Sequence, residues 1–195
     1  MVKTPLPHIW ETSRDFDHAA AAYEEGWGPK SERRLRQVRH VFFLKPDLFV
    51  IADRFEPADN QTHTYEALFH LDAPEAKAEG LKVTTETSGP NLALLAFAAD
   101  SVKIVQGQKE PVVQGWLPDP KAGYGGIKPI PTAIYAKSAR GPTTMMYALY
   151  PTAGPADCPV TGIRLESNEL TVQLKNGHER RVRFKPMPPP ALQKD

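Results

Sequence analysis

The stretch Arg39-His-Val-Phe-Phe-Leu-Lys-Pro-Asp-Leu-Phe-Val-Ile-Ala-Asp53 decides the fold class of this 195-residue chain. Two runs rich in aromatic and β-branched residues flank Lys45-Pro-Asp, and such runs around a proline turn predict a β-hairpin. A second stretch over residues 62–71 alternates in polarity, which is typical of a half-buried strand. Its expected common face consists of His63, Tyr65, Ala67, Phe69 and Leu71.

Runs bounded by turn residues predict further strands along the rest of the chain. They are Leu81–Glu86, Leu92–Ala98, Val102–Gln106, Val112–Trp116, Ala133–Ser138, Thr143–Tyr150, Gly162–Leu165, Leu170–Lys175 and Arg180–Phe184. The last two flank Asn176-Gly177, a strong short hairpin signal. The 20 prolines leave little room for long helices. Roughly a dozen strands with turn residues between them therefore predict an all-β, antiparallel β-sandwich.

The length of the chain favours a single domain. We expect one sandwich domain over residues 1–186, with residues 1–30 as an irregular lead-in. Within that lead-in, only Asp17–Glu25 has the composition of a short turn of helix. Residues 187–195 are rich in proline and predict a flexible tail.

Composition argues against several classes of partner. The net charge is +1 and the charges are dispersed, so the sequence favours neither nucleic acid nor an anionic membrane as a partner. Two basic runs, Lys30–Arg39 and His178–Lys185, are interpreted as solvated strand faces. The single cysteine, Cys158, excludes an internal disulfide framework and suggests no zinc or redox motif.

Targeting signals are not evident in the sequence. No stretch approaches the 18 to 20 apolar residues of a membrane span, and the N-terminal residues contain no apolar signal segment. We therefore expect a soluble chain without an export signal of its own. Its location stays open, and it would be periplasmic or secreted if a full-length relative is exported.

The histidines do not form a metal-binding motif. No two of positions 8, 18, 40, 63, 70 and 178 are separated by two, three or four residues, the spacings of a chelating pair. His63 and His70 should point to opposite sides of their strand. A metal at His70 would need Asp53, but simple hairpin symmetry places Asp53 opposite about Thr64. We interpret His70 as hydrogen-bonded within the sheet.

Catalytic motifs and carboxylate pairs in apolar surroundings are likewise not found, so no catalytic residue is predicted. Sugar binding would use exposed rings, on which the apolar face of a pyranose stacks. Trp27, Trp116 and Tyr124 lie near glycines or prolines in expected loops and are the candidates. The alternative is that these rings pack in the core or within loops.

Several segments together resemble the C-terminal β-sheet domain of heparinase II/III-like polysaccharide lyases. The most specific are the hairpin Arg39–Asp53 and the strand His63-Thr-Tyr-Glu-Ala-Leu-Phe-His-Leu. The resemblance spans about residues 10–184. Further matching segments are Trp10-Glu-Thr-Ser-Arg-Asp-Phe-Asp, Ala22-Tyr-Glu-Glu-Gly-Trp, Gly115-Trp-Leu-Pro, Lys128-Pro-Ile-Pro and Tyr147-Ala-Leu-Tyr-Pro.

The resemblance implies a lyase that cleaves uronic-acid polysaccharides, such as glycosaminoglycans or alginate, by β-elimination. In that reaction a base removes the C5 proton while an acid protonates the leaving O4. Relatives take most of this machinery from an N-terminal α/α toroid, which we expect as a partner in cis or as a separate chain. The chain alone is then expected to be inactive, with Arg39, Trp27, Trp116 and Tyr124 facing an acidic polysaccharide.

Two motifs of the family are missing or altered here. The early His-x-His strand has no counterpart in the sequence. Some relatives hold a structural metal at positions that correspond to Gln37, Asp53 and His70, and glutamine is a poor zinc ligand. The resemblance therefore predicts no cofactor, or a weak, vestigial zinc site. Two alternatives remain: a stand-alone carbohydrate-binding or interaction module, and an autonomous enzyme that uses Asp53 and His70.

Overall fold

The computed structural model describes residues 8–24, 26–28, 30 and 34–187. Regular structure in these residues consists of sixteen strands and one three-residue 3-10 turn, Pro120–Ala122. The strand pairings are antiparallel. The predicted all-β, antiparallel sandwich is confirmed. None of the described residues forms a helix long and apolar enough to cross a membrane.

The chain divides into two compact units. The first unit comprises Met1–Asn60, Gly141–Thr144 and Pro159–Asp195, and the second comprises Gln61–Arg140 and Met145–Cys158. The single domain expected over residues 1–186 stays a prediction. Of the expected tail over residues 187–195, only Met187 is among the described residues.

The first unit contains two antiparallel sheets. Its strands are β1 (His8–Thr12), β2 (Phe16–Tyr23), β3 (Leu35–Leu44), β4 (Leu48–Pro57), β14 (Val160–Glu166), β15 (Glu169–Leu174) and β16 (Glu179–Arg183). Strands β1 to β4 pair in chain order, and β14 to β16 form a separate three-stranded sheet. The turn predicted at Lys45-Pro-Asp joins β3 to β4 as expected.

Alternation along β3 and β4 gives their sheet two different faces. Val38, His40, Phe42 and Leu44 are buried, whereas the residues between them are more exposed. Phe184, at the end of β16, packs on the buried side, with its ring centroid 5.0 Å from that of Phe42. Because a β-strand directs successive side chains to opposite faces, one face of β1 to β4 is the core of this unit and the other is more exposed, except at Asp53 and Phe55, which are buried.

The irregular lead-in expected over residues 1–30 is wrong for residues 8–12 and 16–23, which form β1 and β2. The helical turn expected at Asp17–Glu25 is also wrong, because β2 runs from Phe16 to Tyr23. Residues 19–22 are all alanine, a residue with low strand propensity and high helix propensity. Pairing with β1 on one side and β3 on the other supplies the backbone hydrogen bonds that override this local preference.

The second unit holds the remaining strands. They are β5 (Thr62–His70), β6 (Glu75–Glu79), β7 (Lys82–Glu86), β8 (Asn91–Phe97), β9 (Ser101–Gln106), β10 (Trp116–Pro118), β11 (Ile127–Pro129), β12 (Pro131–Arg140) and β13 (Thr143–Thr152), whose first two residues belong to the first unit. Strand β12 pairs with β5 and β9, and β8 pairs with β7 and β13. Tyr135 and Tyr147 are fully buried in this unit.

Two glycines lie in segments for which the sequence makes a specific prediction, one wrong and one confirmed. The strand predicted at Val112–Trp116 is wrong, because this segment is irregular up to the start of β10. Gly115 there has a φ of 77°, and a side chain at it would meet the backbone of Gln106 at 2.9 Å. The hairpin at Asn176-Gly177 is confirmed: Gly177 has a φ of 79°, and the turn joins β15 to β16.

Candidate functional site

The outward face of the β1 to β4 sheet is the most distinctive surface of the first unit. Strand register aligns its side chains in rows, for example Trp10 with Ala19, Ala19 with Val41, and Val41 with Ile51. We call this surface the open face. Its side chains include those of His8, Trp10, Asp17, Ala19, Ala21, Tyr23, Gln37, Arg39, Val41, Phe43, Phe49, Ile51, Asp53 and Phe55.

Aromatic rings lie at several points of the open face. Trp10 is 72% exposed, and Phe43 and Phe49 stack on each other with ring centroids 4.4 Å apart. At another corner, Tyr23 makes an edge contact with the half-exposed ring of Trp27. Exposed rings grouped on one sheet face are typical of an interaction surface, since burying them is favourable.

A charged pair lies at the centre of the open face. Arg39 and Asp53 stand directly opposite each other in the β3–β4 register. The guanidinium Nε lies 2.6 Å from Oδ1 of Asp53, and Nη2 lies 2.8 Å from Oδ2. The amide of Gln37 also donates to Oδ1, over 3.2 Å. The Asp53 side chain has no solvent exposure, whereas that of Arg39 is half exposed.

This geometry decides whether the predicted metal residues fit a zinc ion. Both oxygens of Asp53 accept hydrogen bonds from a bidentate guanidinium, which compensates the buried negative charge. The amide of Gln37 is a further donor to Asp53 and not a zinc ligand. The described residues include no group of three or more His, Cys, Asp or Glu side chains that could hold a metal ion. The donor set therefore does not fit a zinc site.

The third residue of the predicted metal set lies in the second unit. His70 ends β5 on its exposed face, where it is opposite Thr132 in the register. His63 lies on the other face of β5, towards the side of the buried Tyr65. The two histidines thus point to opposite sides, as the alternation of the sequence predicts.

The predicted substrate-facing residues belong to two different units. Arg39 and Trp27 belong to the first unit, and Trp116 and Tyr124 belong to the second. The indole of Trp116 is partly buried and donates to the carbonyl of Gln108 over 2.9 Å, so it helps to hold its own loop together. Tyr124 is fully exposed.

None of the aromatic rings of the open face is a candidate in the sequence prediction, and Trp10 is the most exposed of them. The segment His8-Ile-Trp-Glu-Thr falls in the predicted irregular lead-in, so the Trp10 ring has no expected neighbours. Its alternation of exposed and half-buried residues could have indicated an edge strand. Only the pairing of β1 with β2 shows that Trp10 shares a face with Arg39.

Comparison with known proteins defines the class of fold. The chain has the fold of one portion of heparinase-type polysaccharide lyases. It is similar to the heparan sulfate lyase HepC from Pedobacter heparinus, with a TM-score of 0.69 and 18% sequence identity over 91% of this chain. It is also similar to the crystal structure of Heparinase III, with a TM-score of 0.60 and 15% identity over 91% of this chain.

In both cases the chain spans 27% of the length of the solved structure. No protein-family model matches the sequence, and no curated protein matches it either. The expected resemblance is confirmed as a likeness of fold to a part of these lyases.

Proposed function

We propose that this chain is the β-sandwich portion of a heparinase II/III-like polysaccharide lyase, and that its open face lines one side of a cleft for an acidic polysaccharide. The observation that carries the proposal is the open face itself, with exposed Trp10 and the stacked Phe43 and Phe49. A partner domain would remove these rings from water at a gain of about 25 cal/mol per Å². The partner is an α/α-toroid lyase domain, in cis or on a separate chain.

The length relation supports a further domain as this partner. HepC and Heparinase III match this chain over 27% of their own length, so most of each lyase lies outside the matched portion. A stable interface buries about 800 Å² on each partner. A four-stranded sheet face with several exposed rings is a surface of the kind that such an interface needs.

The charged residue Arg39 on the open face supports a role for this face in β-elimination. β-Elimination next to a uronate carboxylate needs a positive donor that stabilises the developing negative charge. Arg39 is half exposed and is held in place by Asp53. Tyr135 of the second unit is a poor acid or base group, because burial raises its pKa well above the ordinary value. In this proposal the base and the acid come from the partner domain.

The direct test has two parts. The purified 195-residue chain is incubated with heparan sulfate, heparin and alginate, and unsaturated uronide is followed by ultraviolet absorbance. We expect no product, and reproducible turnover by the chain alone would overturn the proposed inactivity.

In the second part, the chain is mixed with the helical domain of a heparinase III-type lyase whose β portion has been deleted. We expect co-elution on a sizing column, and loss of co-elution for the Trp10→Ser, Phe49→Ser double variant. Tyr124→Ser is the matched control, because Tyr124 is also an exposed ring but belongs to the second unit. Co-elution that survives the double variant would contradict docking through the open face.

A second candidate function is a stand-alone carbohydrate-binding module. The observation in its favour is Tyr124, whose ring is fully exposed in a loop between Gly123 and Gly125. An exposed aromatic ring of this kind can stack on the apolar face of a sugar. Titration with glycans distinguishes the two: Tyr124→Ala should lose most affinity in a binding module, and should have no effect on docking through the open face.

A further inference from the structure

Three titratable side chains form a hydrogen-bonded row on the inner face of β1, β2 and β3. Nδ1 of His18 lies 3.0 Å from Oε1 of Glu11, and Nε2 of His18 lies 3.1 Å from Nδ1 of His40. Both histidines are buried, at 1% and 8% exposure. The sequence prediction assigned no role to either residue.

The hydrogen bonds fix where the protons lie when both rings are neutral. A carboxylate only accepts hydrogen bonds, so His18 carries its proton on Nδ1 and donates it to Glu11. Nε2 of His18 is then an acceptor, and His40 donates to it from Nδ1. The remaining lone pair is on Nε2 of His40. A proton that enters the row on an imidazole nitrogen therefore creates a buried imidazolium at His40.

The end of β16 closes over this row. The Phe184 ring stands edge-on to both histidines, with centroids 4.9 Å from His18 and 5.6 Å from His40. The next residue, Lys185, donates its backbone N–H to the same Glu11 oxygen that accepts from His18, over 3.0 Å. The last strand of the small sheet is thus fastened to β1, β2 and β3 through groups whose charge depends on pH.

The charges around the row do not compensate a proton on His40. Burial, and to a smaller extent the neighbouring His18, lowers the pKa of His40 to about 4, while Asp53 of β4 acts in the opposite direction. Burial also lowers the pKa of His18, in spite of the nearby Glu11 carboxylate, which raises it. Asp53 is already paired with Arg39, so its negative charge is largely balanced.

We propose that Glu11, His18, His40, Phe184 and Lys185 form an acid-sensitive clasp that holds the end of β16 on the β1 to β4 sheet and releases it in mildly acidic solution. We call this group the histidine clasp. Opening the clasp exposes the rings to water, where an imidazolium is well solvated. Protonation therefore favours the open state without any change in the rest of the chain.

The size of the effect follows from linkage. An exposed histidine has a pKa of 6.5, and His40 in the closed clasp has a pKa of about 4. The open state binds more protons below pH 6.5, so the clasp is held fully above that pH and weakens as the pH falls towards 4. At pH 5 this difference raises the open fraction roughly 30-fold.

Hydrogen exchange of the full chain, read by mass spectrometry from pH 7.5 to 4.5 and corrected for intrinsic rates, tests the proposal. We expect amide protection over residues 179–185 to fall roughly 30-fold at pH 5, while β12 keeps its protection. The His40→Asn variant keeps an amide donor near the position of Nδ1 but does not titrate, so its protection should change far less with pH.

The matched control is His178→Asn, which removes an exposed histidine from the β15–β16 turn. This variant should behave as the unmodified chain. The same pH dependence in His40→Asn as in the unmodified chain would overturn the proposal, and so would constant protection of residues 179–185 down to pH 4.5. If His40→Asn does not fold, ¹⁵N shifts of the ring nitrogens in the unmodified chain decide: a charged His40 at pH 6 in a closed clasp contradicts it.

Discussion

The two faces of the β1 to β4 sheet stabilise their buried polar groups in different ways. Arg39 and His40 are adjacent in β3, yet Arg39 lies on the open face and His40 on the inner face. On the open face, a buried carboxylate is compensated by a permanent cation. On the inner face, buried imidazoles satisfy each other as neutral groups. The open-face arrangement depends on the guanidinium cation, whereas the inner arrangement is stable only while the rings stay uncharged.

The largest expected contrast between the faces is in packing. Phe184→Ala should lower the free energy of unfolding by about 4 kcal/mol, because it removes a buried ring from the inner face. Trp10→Ala on the open face should change it by less than about 0.5 kcal/mol, since Trp10 is largely exposed. Urea unfolding followed by circular dichroism measures both. Equal losses would show that Trp10 is part of the core.

Removal of the charged pair on the open face is expected to cause the next largest loss of stability. Arg39→Ala should lower the free energy of unfolding by about 3 kcal/mol, because it leaves the Asp53 carboxylate buried without its cation. The control is Arg183→Ala, which breaks an exposed ion pair with Glu169 and should cost less than about 1 kcal/mol. A loss for Arg39→Ala as small as that of the control would mean that water readily replaces the guanidinium.

The pH dependence of stability compares the faces directly. Because the folded pKa of His40 is about 4, below the ordinary 6.5, the stabilisation is present above pH 6.5 and is lost as the pH falls towards 4. Between pH 7 and pH 5, the free energy of unfolding should fall by about 2 kcal/mol from this group alone. His40→Asn should flatten this part of the profile. An unchanged slope in the variant would assign the pH dependence to other groups.

Adding or removing metal ions is expected to have the smallest effect on stability. Since the Arg39 guanidinium already binds both oxygens of Asp53, a chelator or added zinc should shift the free energy of unfolding by less than about 0.5 kcal/mol. Unfolding curves with and without each reagent measure this. Stabilisation by zinc that rises with its concentration would contradict our interpretation of the Gln37, Arg39 and Asp53 group.

Local sequence patterns predict much of the fold. The β3–β4 hairpin, β5 and the turn at Asn176-Gly177 carry strong periodic or turn signals, and the structure has them where they were predicted. The missed strands have weak local signals: β2 is rich in alanine, and β6 is charged and largely exposed. Such strands form because neighbouring strands offer them hydrogen bonds, which no local window of sequence reveals.

Local sequence is enough to predict the all-β class, the central hairpin and the opposite orientations of His63 and His70, because each of these depends on residues close together in the chain. The tertiary structure alone decided that Trp10 shares a face with Arg39, and that His18, 22 residues before His40, meets it below Phe184. The reason is strand register, which is set by the pairing of whole strands and their turns. Whether a charged side chain finds a partner or a histidine stays neutral depends on that register.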